Sequence, residues 1–574
     1  MAVSMDKGKA TMLLDECDDL ARQLEDMRKE KELLTKEVED LKRQRDACKT
    51  AQYPDLRFPD EMVNGRRALE CPIGVMTDSY KATHCWMYPE AKRMTAYGEF
   101  RAPYKGVGVD DDRFVFFGMR HCIENVVNRR WTVQDVEAAE SFYSTHNAGA
   151  TPYPFPKDLF LKFVRENDGY FPVTIEALPE GTVAHVRTPA FTITAEDEYA
   201  RLVTFLETVL DQVWYPSCVA TLSRFVRDVI EDAFRKSVDE ELHWLVDSRL
   251  HDFGFRGCTC VEQSVIGGAA HLLNFDGSDT MSACYHVQYH LNNGKPVGSS
   301  IPASEHSVMT AWPDEEGAMK NEVEHYGHSL FACVMDSYDY DNALDVVLPR
   351  VAEQVKEKGG TIVLRPDSGE PLEQVLKALT AAERTFGVTV NKKGFKCLQN
   401  SAVIQGDGVD YASIKSILAA VLAHGYAASN VAFGMGGGLL QKMNRDTMSF
   451  ACKLSHIVDV DGTARDVMKT PKTSSAKISL PGRLFVGRDP LRGTPTVLPA
   501  EDPACAALEP VLRVVYDRRP VPAAFDDFDT CRSRVRTQWH ATPAKGSPLS
   551  PQLQAKVQRI LAERAYGAEN MDEA

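Results

Sequence analysis

After residue 245 the sequence repeats one kind of unit, in which a short apolar run leads through a polar loop into a helical stretch. The units are ACVMD before SYDYDNALDVVL, TIVLRPDSGEP before LEQVLKAL, SAVIQGDGVD before YASIKSILAAVLA, and NVAFGMGGG before LLQKM. Strands that alternate with helices predict a parallel sheet, because each helix returns the chain to the edge where the next strand begins. In β/α barrels the loops at the carboxyl ends of the strands form the active site. The pattern predicts an α/β fold whose polar residues meet at one edge of the sheet.

The region before these units predicts short strands followed by helices. VTIEAL, TVAHV and FTITA, between residues 170 and 200, are short apolar runs separated by Pro and Gly turns, as expected for strands. Residues 200–215 and 222–236 have the apolar spacing of helices. A chain of 574 residues is too long for one small core, so we expect two or three structural units.

A heptad repeat predicts one long helix over residues 10–48. The apolar residues that recur at every seventh position are Leu13, Leu20, Met27, Leu34 and Leu41. With these at the d positions, the a positions are Cys17, Leu24, Lys31, Val38 and Arg45. The repeat predicts a coiled coil that serves assembly, with a single solvated helix as the alternative. Pro54 and Pro59 then mark a linker.

Composition and charge argue against several classes of protein. The net charge of −16 disfavours a general nucleic-acid surface, because phosphate backbones attract basic proteins. The fourteen cysteines are scattered without zinc spacing, as expected for a reducing compartment. The N-terminus has no apolar signal sequence, and no stretch is long and apolar enough to span a bilayer. We expect a cytoplasmic protein with no metal site of its own and no nucleic-acid or membrane partner.

Two of the polar loops have the composition of phosphate and ribose sites. In residues 431–438 a strand ends in glycines before a helix, where free N–H groups and the helix dipole favour an anion. Arg365 and Asp367 combine a guanidinium, which suits phosphate, with a carboxylate, which suits ribose hydroxyls. Either loop could instead be structural, as a glycine-rich turn or as a plain ion pair.

Two further loops supply a carboxylate and an aromatic face. In residues 405–410, Asp407 lies in a glycine turn, where an aspartate also commonly caps local N–H groups. Residues 251–257 place two phenylalanines and Arg256 among glycines. An aromatic face stacks on a planar heterocycle, and an arginine reaches an amide oxygen or a phosphate, although either ring alone could belong to the core. Together the four loops predict a site for a sugar phosphate and a flat ring.

Eight motifs, taken in order, resemble those of the nicotinamide phosphoribosyltransferase family. They are TDSYK (77–81), HDFGFRG (251–257), GSDT (277–280), ASEHS (303–307), DSYD (336–339), RPDSG (365–369), QGDGVD (405–410) and FGMGGGLLQK (433–442). The resemblance spans roughly residues 70–540. It implies an enzyme of NAD salvage that joins nicotinamide to phosphoribosyl pyrophosphate, giving nicotinamide mononucleotide and pyrophosphate.

The resemblance also implies a fold and a domain order. The implied fold is α/β, an irregular α/β barrel packed against a sheet-containing domain made from both ends of the catalytic region, with the active site at a homodimer interface. The expected segments are a coiled-coil extension (1–50), a linker (51–69), the first part of the sheet-containing domain (70–200), the barrel (201–450), the completion of the sheet-containing domain (451–540) and a C-terminal helical tail (541–574). The coiled coil is foreign to the usual family members, and residues 10–48 are expected to mediate further self-association or partner binding.

By the same resemblance, four residues hold nicotinamide. Phe253 is expected to stack on one face of the ring, and Tyr80 of the partner subunit to cover the other. Arg256 is expected to hold the carboxamide oxygen, and Asp279 to accept from its NH₂ group. A carboxylate at Asp279 would repel the carboxylate of nicotinate, which favours nicotinamide as the substrate.

The other implied residues bind the sugar and its phosphates or couple the reaction to ATP. Those expected around ribose, phosphate and pyrophosphate are Arg101, Asp336, Arg365, Asp367, Gly406, Asp407, Gly436, Gly437, Arg445, Lys453 and Lys469. Mg²⁺ is expected to bind with the pyrophosphate rather than in a cage of protein ligands. His306 is expected to be phosphorylated by ATP, the coupling substrate; without the family it would be interpreted as a hydrogen-bonded structural histidine. The residues expected to be catalytic are His306, Asp279, Asp336 and Asp367.

Two positions depart from the family pattern, and two other functions stay open. Met435 replaces a serine in the glycine loop, and Ala451 stands where a phosphate-binding serine is expected. We expect weaker phosphate affinity with activity retained. The alternative functions are a nicotinate phosphoribosyltransferase, against which Asp279 argues, and a catalytically inactive scaffold assembled by the coiled coil, against which the complete set of polar site residues argues.

Overall fold

The computed structural model describes residues 71–149, 151–472, 477–489 and 493–571, with scattered positions between 20 and 39. The chain forms two units, Met1–Cys71 and Pro72–Ala574. In the first unit the described positions are helical and exposed, Leu20 and Met27 among them. The coiled-coil pairing over residues 10–48 and the linker over residues 51–69 lie mostly or wholly outside the described residues and stay predictions.

The second unit is a mixed α/β structure. Its strands are β1 (Ala91–Glu99), β2 (Arg113–Val115), β3 (Val173–Ala177), β4 (Val183–His185), β5 (Pro189–Glu196), β6 (Leu250–Asp252), β7 (Leu330–Val334), β8 (Thr361–Arg365), β9 (Val388–Val390), β10 (Lys396–Leu398), β11 (Ser401–Gln405), β12 (Val431–Met435), β13 (Ala451–Asp459), β14 (Ala464–Asp466), β15 (Leu484–Arg488), β16 (Pro495–Pro499), β17 (Glu509–Pro510) and β18 (Arg513–Asp517). Its α-helices are α1 (His84–Met87), α2 (Met119–Cys122), α3 (Val133–His146), α4 (Lys157–Glu166), α5 (Glu207–Leu210), α6 (Trp214–Ser237), α7 (Val261–His271), α8 (Met281–His286), α9 (His306–Thr310), α10 (Glu315–Tyr326), α11 (Tyr340–Asn342), α12 (Leu348–Lys358), α13 (Pro371–Phe386), α14 (Tyr411–Ala423), α15 (Gly437–Leu440), α16 (Phe528–Ala541) and α17 (Pro551–Met571).

Six strands form one antiparallel sheet in the order β14-β13-β1-β5-β3-β18. They come from residues 91–196 and 451–517, so both ends of the second unit build this sheet. In β3, Val173, Ile175 and Ala177 are buried, whereas the residues between them are half-buried. This alternation is typical of a strand with one face on the core. The predicted strands VTIEAL, TVAHV and FTITA are confirmed as β3, β4 and β5.

The predicted parallel sheet is confirmed, with the order β6-β12-β11-β8-β7. Two extended segments continue it beyond β7. Their parallel pairings are Ala303 with Ala332 of β7, Gly277 with Ser299, and Ser278 with Asp252 of β6. Because the last pairing returns to β6, the sheet curls into a closed ring.

Alternate residues of the parallel strands face opposite sides, which gives the ring two packed surfaces. Phe331 and Ile362 belong to the main core, which the surrounding helices share. The residues next to them in sequence belong to a separate apolar cluster with Phe253 and Ile301, made of Ala332, Val363, Ile404 and Ala432. This smaller cluster lies on the side of the strands away from the main core.

The helix predicted over residues 222–236 is confirmed as part of α6, whereas the one predicted over 200–215 does not form as a single helix. The apolar spacing predicts helices at 200–215 and 222–236, whereas the chain forms short helical turns up to Val213 and then the continuous helix α6. Pro216 lies in the first turn of α6, where its missing N–H costs nothing, so a helix begins readily there. α6 is buried along most of its length and packs against α7 and α14.

The C-terminal segment belongs to the second unit. α17 contacts β16, and its Leu553 is buried in a small cluster with Tyr97 and Val497. Among the described residues, no helix has the length and apolar character needed to cross a membrane. The finer domain boundaries within residues 72–574 stay predictions.

Candidate active site

A cavity of about 780 Å³ lies at the carboxyl ends of the parallel strands. The loops after β6, β8, β11 and β12 contribute to it, together with residues 279–280 and 305–307. The residues that line it are Asp252, Phe253, Phe255, Arg256, Asp279, Thr280, Glu305, His306, Ser307, Arg365, Asp367, Gly406, Asp407 and Gly436. This is the edge at which the strand–loop–helix units predict a site.

Most of the residues predicted for the site meet in this cavity. Those in the lining are Phe253, Arg256, Asp279, His306, Arg365, Asp367, Gly406, Asp407 and Gly436. Asp336 lies directly behind it, where its Oδ2 accepts from the backbone N–H of Asp367 at 3.0 Å. Besides Asp336, the described residues that were predicted for the site but lie outside the lining are Tyr80, Arg101, Gly437, Arg445, Lys453 and Lys469.

The lining also includes residues that the sequence reasoning missed. They are Asp252, Thr280, Glu305 and Ser307; Phe255, one of the two rings already named as a possible aromatic face, lines the cavity as well. Each is the direct neighbour in sequence of a predicted site residue. Their position next to a predicted site residue could have identified them. In a tight loop that directs one side chain into a cavity, the neighbouring residues often line the same cavity.

His306, the first residue of α9, is held between a hydroxyl and two carboxylates. Its Nδ1 lies 3.1 Å from Ser337 Oγ. Its Nε2 lies 3.3 Å from Asp367 Oδ2 and 3.9 Å from Asp336 Oδ1. The two carboxylates therefore lie on the same side of the ring, and the hydroxyl lies on the other.

Asp336 is held from behind by the loop that follows β8. Its Oδ2 accepts from the Asp367 N–H and from the Ser368 hydroxyl. Its Oδ1 is buried and has no hydrogen-bond partner among the described residues. An unpartnered carboxylate oxygen is costly to bury, so this atom faces the site with unused capacity to accept a hydrogen bond or to bind a cation.

Phe253 forms the aromatic wall of the cavity. A Cβ at Gly434 would lie 2.0 Å from Phe253 Cε2, and one at Gly406 would lie 3.0 Å from the same atom. The Phe253 N–H donates to the Met435 carbonyl at 3.1 Å, which fixes the backbone beside β12. The glycines at these two strand ends are therefore required for the close approach of the ring.

Asp279 and Arg256 place opposite charges in the same cavity. Asp279 Oδ1 accepts from the Ser300 hydroxyl at 2.8 Å and lies 3.6 Å from His251 Nδ1. Arg256 lies on the exposed helical turn Phe255–Gly257. A carboxylate and a guanidinium can bind the NH₂ group and the oxygen of a carboxamide.

Asp252 is a buried carboxyl beneath the aromatic wall. Its Oδ1 accepts from the Gly254 N–H at 2.7 Å, which shapes the turn between Phe253 and Arg256. Burial raises the pKa of Asp252 to about 6, while the hydrogen bond from Gly254 acts in the opposite direction. This residue supports the loop from below.

The glycine loop after β12 supplies backbone donors without the two hydroxyls that the family pattern predicts. Met435 is buried, and its side chain packs where a Cβ at Gly438 would lie. Ala451 is also buried, at the start of β13. Gly436 lines the cavity, whereas Gly437 is not part of the lining.

The other predicted basic residues lie around β1 and β13. Arg101 Nε donates to a carbonyl of the loop before β13 at 2.9 Å, and Lys453 belongs to β13 itself. Arg445 approaches Asp211 at 4.0 Å. Burial raises the pKa of Asp211 to about 7, and Arg445 and Lys453 oppose that rise. Lys469 is exposed after β14. These residues form a second charged region.

Comparison with solved structures defines the class of fold. Nicotinate-nucleotide pyrophosphorylase from Pyrococcus furiosus has a TM-score of 0.52 and 15% identity, covering 85% of this chain and 99% of that one. Human nicotinic acid phosphoribosyltransferase has a TM-score of 0.51 and 18% identity, covering 84% and 99%. At such identities the likeness shows the fold alone, a mixed α/β fold with a curled parallel sheet.

Sequence comparison then defines the family. Residues 248–517 match the model of the nicotinate phosphoribosyltransferase (NAPRTase) family, and residues 72–175 match that of the nicotinamide phosphoribosyltransferase N-terminal domain. The nicotinamide phosphoribosyltransferase of Xanthomonas campestris pv. campestris is 40% identical over 424 residues, 73% of this chain and 88% of the relative. The protein of that name from Acinetobacter baylyi is 30% identical over 452 residues, 72% and 87%. The chain belongs to the nicotinamide phosphoribosyltransferase family, and it is an enzyme of the pentosyltransferase class.

Because Asp252 is buried, we expect the stability of Asp252→Asn relative to the unchanged chain to depend on pH. Its pKa is about 6 in the folded chain and about 3.9 in an unfolded one. Below both values the carboxyl is protonated in both states. Between the two values the unfolded chain loses its proton while the folded chain keeps it, so the free energy of unfolding falls as the pH rises from about 4 to about 6, and above about 6 the full loss of about 3 kcal/mol remains. In urea unfolding, Asp252→Asn should therefore gain stability over the unchanged chain at about pH 7.5, and the gain should shrink towards about pH 4.5.

The control for this measurement is Glu353→Gln, which neutralises an exposed carboxylate paired with Lys356 at 3.0 Å. It should leave the free energy of unfolding nearly unchanged at both pH values, since exposed ion pairs contribute little. A gain for Asp252→Asn that is the same at both pH values would contradict the buried-charge interpretation.

Proposed function

We propose that this chain transfers the phosphoribosyl group of phosphoribosyl pyrophosphate to nicotinamide, giving nicotinamide mononucleotide and pyrophosphate in NAD salvage. The observation that supports this most is that one cavity contains Phe253, the Asp279–Arg256 pair, and Arg365 with Asp367. These groups suit a flat ring, a carboxamide, and a ribose with its phosphates. The relative at 40% identity is a nicotinamide phosphoribosyltransferase by name.

Transfer is a displacement at the anomeric carbon. The ring nitrogen of nicotinamide attacks C1 of the ribose, the C1–O bond to pyrophosphate breaks, and its electron pair leaves with pyrophosphate. Positive charge develops on the sugar, and Asp367 and Asp407 are the carboxylates placed to stabilise it. Arg365 neutralises charge on the phosphates. No covalent ribosyl–enzyme intermediate is required.

The cavity contributes mainly by orienting the two substrates. Phe253 is fixed in position because it packs on the ends of β11 and β12, so a ring stacked on it lies in one plane. Arg256 and Asp279 would fix the rotation of that ring through its carboxamide. Orientation of this kind lowers the barrier by removing translational and rotational freedom before the reaction.

Mg²⁺ would arrive with the pyrophosphate. Among the described residues, no group of three or more His, Cys, Asp or Glu side chains is arranged to hold a metal ion. Asp336, with its unpartnered Oδ1, and Asp367 offer the one or two carboxylates that Mg²⁺ usually takes from a protein. When bound, the ion would offset negative charge on the leaving group.

Asp279 is proposed to select nicotinamide over nicotinate. Its carboxylate is held by Ser300 and lies beside His251, so it keeps one position in the cavity wall. The NH₂ group of nicotinamide can donate to it. The carboxylate of nicotinate would instead meet a like charge, which is costly at short range.

Single-turnover synthesis from phosphoribosyl pyrophosphate and Mg²⁺, with nicotinamide and nicotinate offered in parallel, tests this selection. The unchanged chain should form mononucleotide from nicotinamide alone. Asp279→Asn keeps the shape but removes the charge, so it should lower the preference for nicotinamide by about 10- to 100-fold. Ser300→Ala, which removes a hydrogen bond but keeps the charge, should retain most of that preference.

Two outcomes of this experiment would overturn the proposal in different ways. A preference of the unchanged chain for nicotinate would make it a nicotinate phosphoribosyltransferase while leaving the reaction class intact. No product from either ring would favour a catalytically inactive scaffold, assembled through residues 10–48.

ATP hydrolysis is proposed to be coupled to synthesis through His306. A ring nitrogen attacks the γ-phosphorus of ATP, the bond to ADP breaks, and water later cleaves the N–P bond to release phosphate. Asp367 and Asp336, at 3.3 Å and 3.9 Å from Nε2, would stabilise the positive charge on the ring. Ser337, at 3.1 Å from Nδ1, orients the ring from the other side.

Replacement of this histidine should separate ATP coupling from basal synthesis. His306→Ala should abolish the stimulation by ATP while lowering ATP-independent synthesis less than about 10-fold. Label from the γ-phosphate of ATP should appear as acid-labile protein label on the unchanged chain and not on the variant. The control is His325→Ala, an exposed histidine on α10, which should keep both label and stimulation. Undiminished labelling of His306→Ala would contradict the assignment.

The second charged region is proposed to serve the active site of a partner subunit in a homodimer. Tyr80 is outside the cavity lining and more than half exposed, next to the exposed side chains of Trp86 and Met87. A second exposed apolar surface follows Asp279 on α8 and the turn after it, with Met281 and Tyr285. Large exposed apolar side chains in clusters usually mark an interface, and an isologous dimer would cover both surfaces at once.

Mixed dimers test whether the sites are shared. Tyr80→Ala and Asp367→Ala chains, each expected to have little activity, are co-expressed and purified together. If Tyr80 acts across the interface, each mixed dimer has one intact site, and about a quarter of all sites should be active. If Tyr80 acts within its own chain, the mixture should stay as inactive as its components.

Residues 10–48 are proposed to join such dimers to one another or to a partner protein, as the heptad repeat indicates. A cytoplasmic location is proposed because the cysteines in the described ranges are free thiols, as in a reducing compartment. The net charge of −16 supports a function without nucleic acid.

A further inference from the structure

Outside the cavity, a carboxylate with no role in the transfer step is fully buried in the six-stranded sheet. Glu99, the last residue of β1, has no exposed surface. Its Oε1 accepts from Arg187 Nη1 at 3.0 Å and from the Tyr97 hydroxyl at 3.2 Å. Its Oε2 is buried and, in the part of the chain that the structure describes, has no hydrogen-bond partner. Burying a carboxylate costs free energy of folding, so the groups that it holds indicate why it is present.

Both partners of Glu99 hold the same short segment. The Tyr97 hydroxyl accepts from the backbone N–H of Leu480 at 2.6 Å. Arg187 Nη2 donates to the carbonyl of Ile478 at 2.9 Å. Glu99 is therefore connected through Tyr97 to Leu480 and through Arg187 to Ile478, the two residues on either side of Ser479.

Ser479 in turn pairs with Lys469. The Lys469 N–H donates to Ser479 Oγ at 2.8 Å, and the Ser479 N–H donates to the Lys469 carbonyl at 3.2 Å. These two bonds fix the backbone from which the exposed Lys469 side chain extends. A continuous set of hydrogen bonds thus runs from the buried carboxylate to this lysine.

The backbone of Arg187 provides a second, independent sign that this connection is functional. Arg187 has a φ of 75°, in the left-handed region that few residues other than glycine adopt. Its N–H donates to the Phe100 carbonyl at 2.7 Å. Strained residues persist where the surrounding structure requires their exact side-chain placement, which here is the bridge between Glu99 and residues 478–480.

We propose that Glu99 is a positioning residue for Lys469, acting through Tyr97 and Arg187 on residues 478–480. It would hold the lysine where its ammonium group reaches the pyrophosphate of phosphoribosyl pyrophosphate. This inference rests on the proposed function, in which Lys469 binds that group.

The charges around Glu99 make this positioning depend on pH. The groups that face it are Arg187, Arg101, Lys453 and the Tyr97 hydroxyl. Burial raises the pKa of Glu99 to about 7 against the opposing effect of the three cations. Protonation below that value removes the charge that attracts Arg187 and weakens the support of residues 478–480. The KM for phosphoribosyl pyrophosphate should therefore rise as the pH falls through about 7.

The test measures steady-state kinetics of the full-length chain. Glu99→Gln should raise the KM for phosphoribosyl pyrophosphate about 10-fold, the effect of one weakened charged contact, while kcat and the KM for nicotinamide change less than about twofold. The raised KM should no longer depend on pH near 7. Glu196→Gln is the matched control: it neutralises a glutamate of β5 in the same sheet, paired with Arg93 at 2.6 Å but half exposed. It should leave all three constants unchanged.

A double-mutant cycle separates positioning from general damage to the fold. In a Lys469→Ala background, Glu99→Gln should produce no further rise in this KM, since its effect passes through the lysine. If the double variant instead raised this KM by the product of the two single effects, the inference would be overturned. Ser479→Ala leaves the buried charges in place and should raise the same KM. It provides the test in case the Glu99→Gln chain folds poorly.

Two different outcomes would overturn the proposed function and the positioning role of Glu99. An unchanged chain that makes no mononucleotide would overturn the proposed function. An active chain whose KM for phosphoribosyl pyrophosphate is unaffected by both Glu99→Gln and Ser479→Ala would overturn this inference alone.

Discussion

A parallel pairing between Ser278 and Asp252 joins the last extended segment of the barrel to β6, and the arrangement of the site depends on this closure. Because all the paired strands run in one direction, their carboxyl ends form a single rim. Segments as far apart in sequence as residues 252 and 436 therefore line one cavity. The interior is narrow enough that glycines at the ends of β11 and β12 are needed to admit the Phe253 ring. The aromatic wall of the site is thus also part of the packing inside the barrel.

Charge is divided between two regions of the second unit. The cavity combines the carboxylates of Asp279, Asp367 and Asp407 with two arginines, which suits a cationic transition state next to anionic phosphates. The remaining basic residues lie around β1 and β13, where Glu99 and Asp211 are buried carboxyls with raised pKa values. If the two regions of different subunits meet in a homodimer, each site gains cations that its own chain does not place in the cavity. The buried acids would then tune those cations across the interface.

The main features of the fold and cavity could be predicted because they depend on local patterns. Apolar runs followed by polar loops predict the parallel strands, and the residues in those loops line the cavity. Asp252 and Thr280 were missed because nothing in their residue type distinguishes a wall residue from a loop residue. The helix over residues 222–236 was predicted correctly, whereas the one over 200–215 was placed wrongly because apolar spacing alone does not show that a new helix starts beside Pro216. Tyr80 and Lys453 were expected at the site and are not among the residues that line the cavity, since the motif pattern does not tell which of its members one chain brings together.

The sequence by itself determined the class of structure, the family and most of the loops that contribute to the cavity, since strand–loop–helix periodicity and the order of the motifs are properties of the chain. Tertiary structure decided which residues of those loops share a cavity, because the ring closure and the register of its strands bring together residues that no local rule relates. It also decided the environment of each carboxyl. Glu99 is an ordinary glutamate in the sequence. In the fold it loses all contact with water and gains Arg187 and Tyr97 as partners, and that burial gives it a raised pKa and a connection to Lys469.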